Sequence, residues 1–166
     1  MLRYLIILLI LLPIKAFAII EVDITRGNLN PLPIAVSPLS IDEKSKNSFK
    51  KILKKENIGA EISIIVENNL RQSGLFNPLN KDAFLQKPDI ANLKPRFEDW
   101  NLIKAQVLIT GKVTFVDENL RVEFRLWDVL GGKEMKALAF TTVPSNWRRV
   151  GHIITDKVYE TLTGEK

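Results

Sequence analysis

The chain has 166 residues, 46% of them hydrophobic and 26% charged, a length that suits one domain with a real hydrophobic core and leaves no sign of a second. It contains no cysteine, which excludes disulfides and thiolate metal sites and leaves stability to packing. A formal charge of +5 is mildly basic and dictates no partner, and no repeat or low-complexity tract is apparent.

The first 18 residues read as an export signal: a charged start at Arg3, an apolar run from Tyr4 to Leu12, and the small-residue cut site Ala16-Phe17-Ala18. The run is shorter than the roughly 20 apolar residues a membrane helix needs, and Pro13 and Lys15 interrupt it. No cysteine follows the small residues, so a lipoprotein anchor is excluded. Cleavage after Ala18 is expected to leave Ile19 as the new amino terminus of a mature chain in a bacterial periplasm, without stable membrane insertion, and less basic by the two charges of Arg3 and Lys15. Residues 19–31 then form an amino-terminal arm or strand, in which Ile20, Val22 and Ile24 share one face and Glu21, Asp23 and Thr25 the other. A short alternating segment at a free end can pair with a sheet edge, its own or a partner's.

Gly27, Asn28, Asn30 and Pro31 mark a turn into the domain proper, residues 32–166. Leu32 to Val36 reads as a buried strand closed by Pro38, with Pro33 placing its start or an edge there. In the lysine-rich stretch 41–57, Phe49, Ile52 and Leu53 predict a short amphipathic helix. A stronger helix is expected over 60–72, with Ile62, Ile65, Val66, Asn69 and Leu70 as its stripe and Gly74 as its stop, before a brief strand start at Leu75-Phe76. Residues 77–95 hold three prolines and no sustained period, so they read as a connection with one helical turn at 81–85. A shorter helix follows Pro95, with Phe97, Trp100 and Ile103 or Lys104 on one side.

Val107, Ile109, Val113 and Phe115 alternate along one strand, and Leu120, Val122, Phe124 and Leu126 along the next, with Asp117-Glu118-Asn119 as the hairpin turn. Gly131-Gly132 turns the chain into a third strand over 135–143, completing an antiparallel meander. Ser145 then caps a closing helix carrying Trp147, Val150, Ile154, Val158 and Leu162, stopped at Gly164. The expected class is α+β: a two-layer domain whose mixed sheet includes this three-stranded meander, with helices packed on one face.

No catalytic, cofactor-binding or metal-binding set emerges from these residues. Gly111-Lys112 fails as a phosphate loop, because Gln106 stands where the first glycine belongs and Val113 where a hydroxyl is needed. His152 lies off the apolar stripe of the closing helix with no paired cysteine, second histidine or acidic cluster nearby in sequence, which favours a surface or capping role over general-base chemistry. Lys44, Lys46, Lys50, Lys51, Lys54 and Lys55 read as a solvated helix face rather than as a site for nucleic acid or anionic lipid. Arg121, Glu123, Arg125 and Trp127 form a basic and aromatic row on the polar face of the second meander strand, best suited to cross-strand ion pairs. Trp100 and Trp147 fall on apolar stripes as core residues.

Several blocks in order then resemble a known family. Asp23-Ile24-Thr25-Arg26-Gly27, Asn30-Pro31-Leu32-Pro33-Ile34-Ala35-Val36, Leu70-Arg71-Gln72-Ser73-Gly74-Leu75-Phe76-Asn77-Pro78-Leu79, Leu126-Trp127-Asp128, Asn146-Trp147-Arg148-Arg149, Gly151-His152 and the run from Asp156 to Gly164 are similar to the amino-terminal domain of the TolB family of the periplasmic Tol-Pal system. The resemblance implies an interaction protein and not an enzyme, acting in an envelope assembly that supports outer-membrane integrity and constriction at cell division. It implies a TolA-like inner-membrane partner contacted by the mature amino terminus, here Ile19, Ile20, Glu21, Val22, Asp23, Ile24, Thr25 and Arg26. Family chains continue into a carboxy-terminal β-propeller that carries the surface for the lipoprotein Pal. The present sequence ends at Lys166, so a Pal-like partner is expected only where a propeller is present. Two other classes stay open: a separate periplasmic α+β binding module of an envelope or peptidoglycan-synthesis complex using Arg125 and Trp127, and a hydrolase with a dispersed site around His152.

Overall fold

A computed structural model of the chain describes residues 30–165, so the expected signal segment, its cut site and the arm residues 19–29 lie outside the described residues. The elements run β1 (Leu32–Val36), β2 (Ser40–Ile41), α1 (Glu43–Leu53), α2 (Ile58–Gln72), β3 (Phe76–Pro78), α3 (Pro88–Leu93), α4 (Phe97–Leu102), β4 (Val107–Val116), β5 (Asn119–Asp128), β6 (Lys133–Thr142) and α5 (Trp147–Thr163), with 3-10 turns at Lys81–Ala83 and Pro144–Asn146. They form one mixed sheet in the order β3-β1-β4-β5-β6, with β2 also paired to β4. β3, β1 and β4 are mutually parallel, and β4, β5 and β6 are the expected antiparallel meander. The α+β class is therefore correct.

Alternation explains the principal core. Val107, Ile109, Val113, Leu120, Val122, Phe124 and Leu126 all point to one face, where they meet Phe49 of α1, Ile62, Val66 and Leu70 of α2, and Trp147, Val150, Ile154, Val158 and Leu162 of α5. Phe49 packs edge-on against Phe115 at 5.3 Å, and Phe124 stacks on Phe140 at 6.0 Å. Ile52, expected on the α1 stripe, is instead 51% exposed: it lies off the arc defined by buried Ser45 and Phe49 and partly buried Leu53.

The β1–β2 connection is closely packed. β1 follows β4 through Val36–Ile109, the chain steps out at Ser37–Leu39, and β2 rejoins β4 at Lys112–Val113. The Ser63 hydroxyl of α2 spans the step, accepting the Leu39 N–H at 3.0 Å and lying 3.2 Å from the Ser37 carbonyl. Two glycines make room for it. A Cβ on Gly59 would lie 2.2 Å from the Leu39 carbonyl oxygen, and one on Gly111 would lie 2.3 Å from the Glu123 carbonyl oxygen. Gly111 is thus a packing glycine, in agreement with its failure as part of a phosphate loop.

Helix ends follow their local chemistry. Asp42 caps α1, accepting from the Ser45 N–H at 2.9 Å, and this hydrogen bond holds its carboxyl below the ordinary value. The Ser45 hydroxyl also bonds Asp42 and accepts the Phe115 N–H at 2.8 Å, tying the cap to β4. Gly164 ends α5 at φ +74°, a left-handed conformation that favours glycine. Ser145 lies in the 3-10 turn and makes no cap; the N-cap position belongs to Asn146, whose amide donates to the Thr142 hydroxyl at 3.0 Å.

The stretch 77–105 is more ordered than its sequence suggests. It contains α3, begun by Pro88 at a first-turn position, as well as the expected α4. It packs on the opposite face of the sheet, where Ala91, Trp100 and Ala105 join Ala35, Leu108, Trp127 and Val129 in a second cluster. The helices are accordingly not confined to one face. Gln86 organises this region: its side-chain carbonyl accepts from Trp100 Nε1 at 2.9 Å and from the Arg96 N–H at 2.8 Å, while its amide donates to the Lys94 carbonyl at 3.3 Å.

Candidate functional site

The strand register places the root of the arm. Ile34 of β1 aligns with Val107, which aligns with Asp128, which aligns with Lys133 of β6, so the start of β1 and the start of β6 lie at the same end of the sheet. Because α5 follows β6 and packs back along the sheet, its last turns reach that end as well. Tyr159 meets Phe76 edge-on at 6.2 Å, and Phe76 is the register partner of Leu32. The Leu32 N–H donates to the Leu75 carbonyl at 2.9 Å, so the chain is pinned immediately after Asn30-Pro31. The described chain thus begins at the pole formed by β1, β3 and the last turns of α5.

A recess of about 410 Å³ lies on the last turns of α5, lined by Asp156, Lys157, Tyr159, Glu160 and Glu165. Lys157 pairs with Glu160 at 2.6 Å, leaving the lining with an acidic excess. On α2, partial burial pushes the Glu67 carboxyl up, but hydrogen bonds from Lys81 and Arg71, each at 2.7 Å, outweigh it and hold that carboxyl below its ordinary value.

The remaining sequence candidates separate clearly. His152 is exposed, and its Nδ1 accepts from the Asn69 amide at 2.8 Å; the same amide donates to the Thr155 hydroxyl at 3.3 Å. It joins α5 to α2 at the surface, and the hydrogen-bond partner of its ring among the described residues is an amide. Among the described residues no three acidic or histidine side chains are grouped to hold a metal ion, and no helix is long and apolar enough to cross a membrane.

The row on β5 is divided by burial. Trp127 is only 9% exposed, donates from Nε1 to the Thr110 hydroxyl at 2.9 Å and packs edge-on to Phe97 at 5.9 Å. It belongs to the second cluster, which removes most of its ring from a contact surface. Arg125 reaches across to Glu134 at 3.8 Å, the expected cross-strand pair, whereas Arg121 pairs with Glu123 along its own strand at 3.0 Å. Of the lysine series, Lys46 pairs with Glu43 at 3.5 Å, Lys55 with Glu61 at 2.6 Å and Lys50 with Glu56. Lys55 also lies over the Trp147 ring at 5.2 Å, with Arg148 stacked on the same ring at 4.3 Å.

Comparison with known proteins gives consistent results. The model of the TolB amino-terminal domain family matches residues 20–135. The Tol-Pal system protein TolB of Pelagibacter ubique (strain HTCC1062) is 85% identical over all 166 residues, which cover 37% of that relative; the chain thus spans a little over a third of the relative's length. The crystal structure of TolB from Acinetobacter baumannii shares the fold with a TM-score of 0.61 at 21% identity, over 81% of this chain and 29% of that one.

Proposed function

Because the chain belongs to the TolB amino-terminal domain family, we propose that it serves the Tol-Pal envelope system as a periplasmic protein-interaction component, and that residues Ile19–Arg26 are its contact with a TolA-like inner-membrane partner. The observation that supports this most is the near-identity to a Tol-Pal system protein over the entire chain, arm included. In this reading the signal 1–18 is removed after Ala18, the arm 19–31 projects from the pole of β1, β3 and α5, and residues 32–166 hold it there. The protein then contributes to outer-membrane integrity and to envelope constriction during division through binding, without catalysis or a cofactor. A Pal-like lipoprotein is a partner only of chains in which a propeller follows.

Strand physics supplies the mechanism. The unpaired backbone groups of the arm add to an exposed sheet edge of the partner, and Ile20, Val22 and Ile24 fill alternate pockets along it. An arm docked on its own domain is withheld from the partner, so apparent affinity falls by the undocked fraction. Deleting residues 20–26 behind an intact signal is expected to abolish binding to the TolA-like protein and to shift the thermal midpoint by less than about 2 °C, since the domain core begins at β1. Undiminished binding after the deletion overturns the assignment. Loss of binding on Arg125→Ala with the arm intact moves the contact to the meander face.

A further inference from the structure

The opposite edge of the sheet carries a second feature, which does not depend on the arm. Among the described residues β6 is paired on one side only, with β5, so alternate backbone N–H and C=O groups along Ala137–Thr142 face outward. Its two halves differ. Over 133–136 the edge carries Lys133, Glu134 and Lys136, and the register shifts where Leu126 pairs with Lys136 and Trp127 with Glu134, leaving Met135 as an extra residue. Charge and a bulge are the devices that keep a sheet edge from pairing. From Ala137 to Thr142 neither is present: the segment Ala137-Leu138-Ala139-Phe140-Thr141-Thr142 has no charge and no proline, and its register with Leu120–Arg125 is unbroken.

Beside this unguarded half runs a groove of about 450 Å³ between β6 and α5. Phe140, Val150 and Ile153 give it an apolar surface, and Asn146 tied to Thr142 stands at one end. Arg149 lines it as well, exposed and without an ion pair among the described residues, and no acid is among the lining residues. We propose that the Ala137–Thr142 edge and this groove form a binding site for an extended peptide strand of a partner protein, one that alternates β-branched apolar residues with a carboxylate facing Arg149. The outward backbone groups supply the ladder, the apolar surface takes alternate side chains, and the uncompensated guanidinium selects an acidic strand over a basic one. The site lies toward the Thr142 end of β6, whereas the arm leaves beside Leu32 at the end level with Lys133.

The test uses the mature chain labelled with ¹⁵N and a capped probe peptide, Thr-Val-Thr-Val-Glu-Val-Thr, with two controls: lysine in place of the glutamate, and N-methylation of alternate residues. The glutamate peptide is expected to shift amide resonances at Ala137–Thr142, Val150 and Ile153 and to slow exchange of alternate amides in β6. Lysine in the peptide should weaken binding about tenfold, Arg149→Glu should reverse that order, and the N-methylated peptide should fail to bind. A chain lacking residues 20–26 should bind the peptide equally well, which separates this site from the arm. The proposal is overturned by no shift at about 1 mM peptide, by shifts elsewhere, or by equal affinity for the acidic and basic peptides. It is also overturned if β6 is occupied by a second copy, seen as concentration-dependent dimerisation that blocks the peptide.

Discussion

The two faces of the sheet are held by different kinds of packing. On one, strands that alternate strictly, such as β4 and β5, present aliphatic and aromatic side chains to three amphipathic helices, and their contacts repeat along the whole sheet. On the other, a short irregular segment folds over Ala35, Leu108, Trp127 and Val129 and is organised by one buried amide, that of Gln86. The first kind of packing is distributed, so no single residue defines it. The second is concentrated, so a few polar atoms determine whether the segment closes. The contrast implies that the helix-covered face governs global stability while the other face behaves as a smaller cooperative unit.

Truncating Leu126, fully buried in the larger core, should make the biggest difference: Leu126→Ala is expected to cost about 2–5 kcal/mol and to lower the midpoint of a single cooperative transition. Trp100→Phe removes the indole donor to Gln86 and should cost about 1–3 kcal/mol. Its signature is local, with amide exchange accelerated over 84–105 more than in β4 and β5; uniform acceleration would show that the two faces unfold together.

Asp42→Ala should cost about 1 kcal/mol by uncapping α1. The Asp42 carboxyl titrates below its ordinary value because of the Ser45 N–H, so its contribution is complete above about pH 4 and is lost as pH falls through the lower folded-state value. Asp42→Asn keeps an acceptor but does not titrate, and denaturant midpoints taken across that acid range should fall less steeply for it than for the unsubstituted chain. Arg121→Ala, which breaks a half-exposed pair on the open part of the sheet, should change stability by less than about 0.5 kcal/mol. A larger loss there would mean that the open face is stabilised by charge and not only by its ladder.

Legibility in the sequence followed the same division. The meander, α2, α4 and α5 were readable within a few residues because the period of their apolar side chains matches the geometry that buries them. The hairpin was located although its two turn residues, Asp117 and Glu118, adopt positive φ without a glycine. β2 and α3 were not readable. β2 is a two-residue strand made by pairing with β4 and by the Ser63 bridge, and α3 is six residues long, too short to display a period. Trp127 was assigned to the polar row because it stands in phase with Arg121, Glu123 and Arg125; only the return of the chain at Phe97 buries it. The alternation of Ile20, Val22 and Ile24 is legible in the sequence but lies outside the described residues, while the position of the start of β1 came from register. The unguarded half of β6 left no signal, since a row of uncharged residues reads the same whether or not another strand lies beside it.

Composition, periodicity and motif order by themselves determined an α+β domain, its meander, its principal core and its family, because each depends on residues near one another in sequence or on the chemistry of single side chains. Tertiary structure alone decided which glycines were obligatory, which tryptophan was covered, that both sheet faces would be packed in part, and that the arm root and the open edge groove would stand toward opposite ends. Those properties depend on where distant segments meet, and the free energy of such meetings is not written in any local pattern.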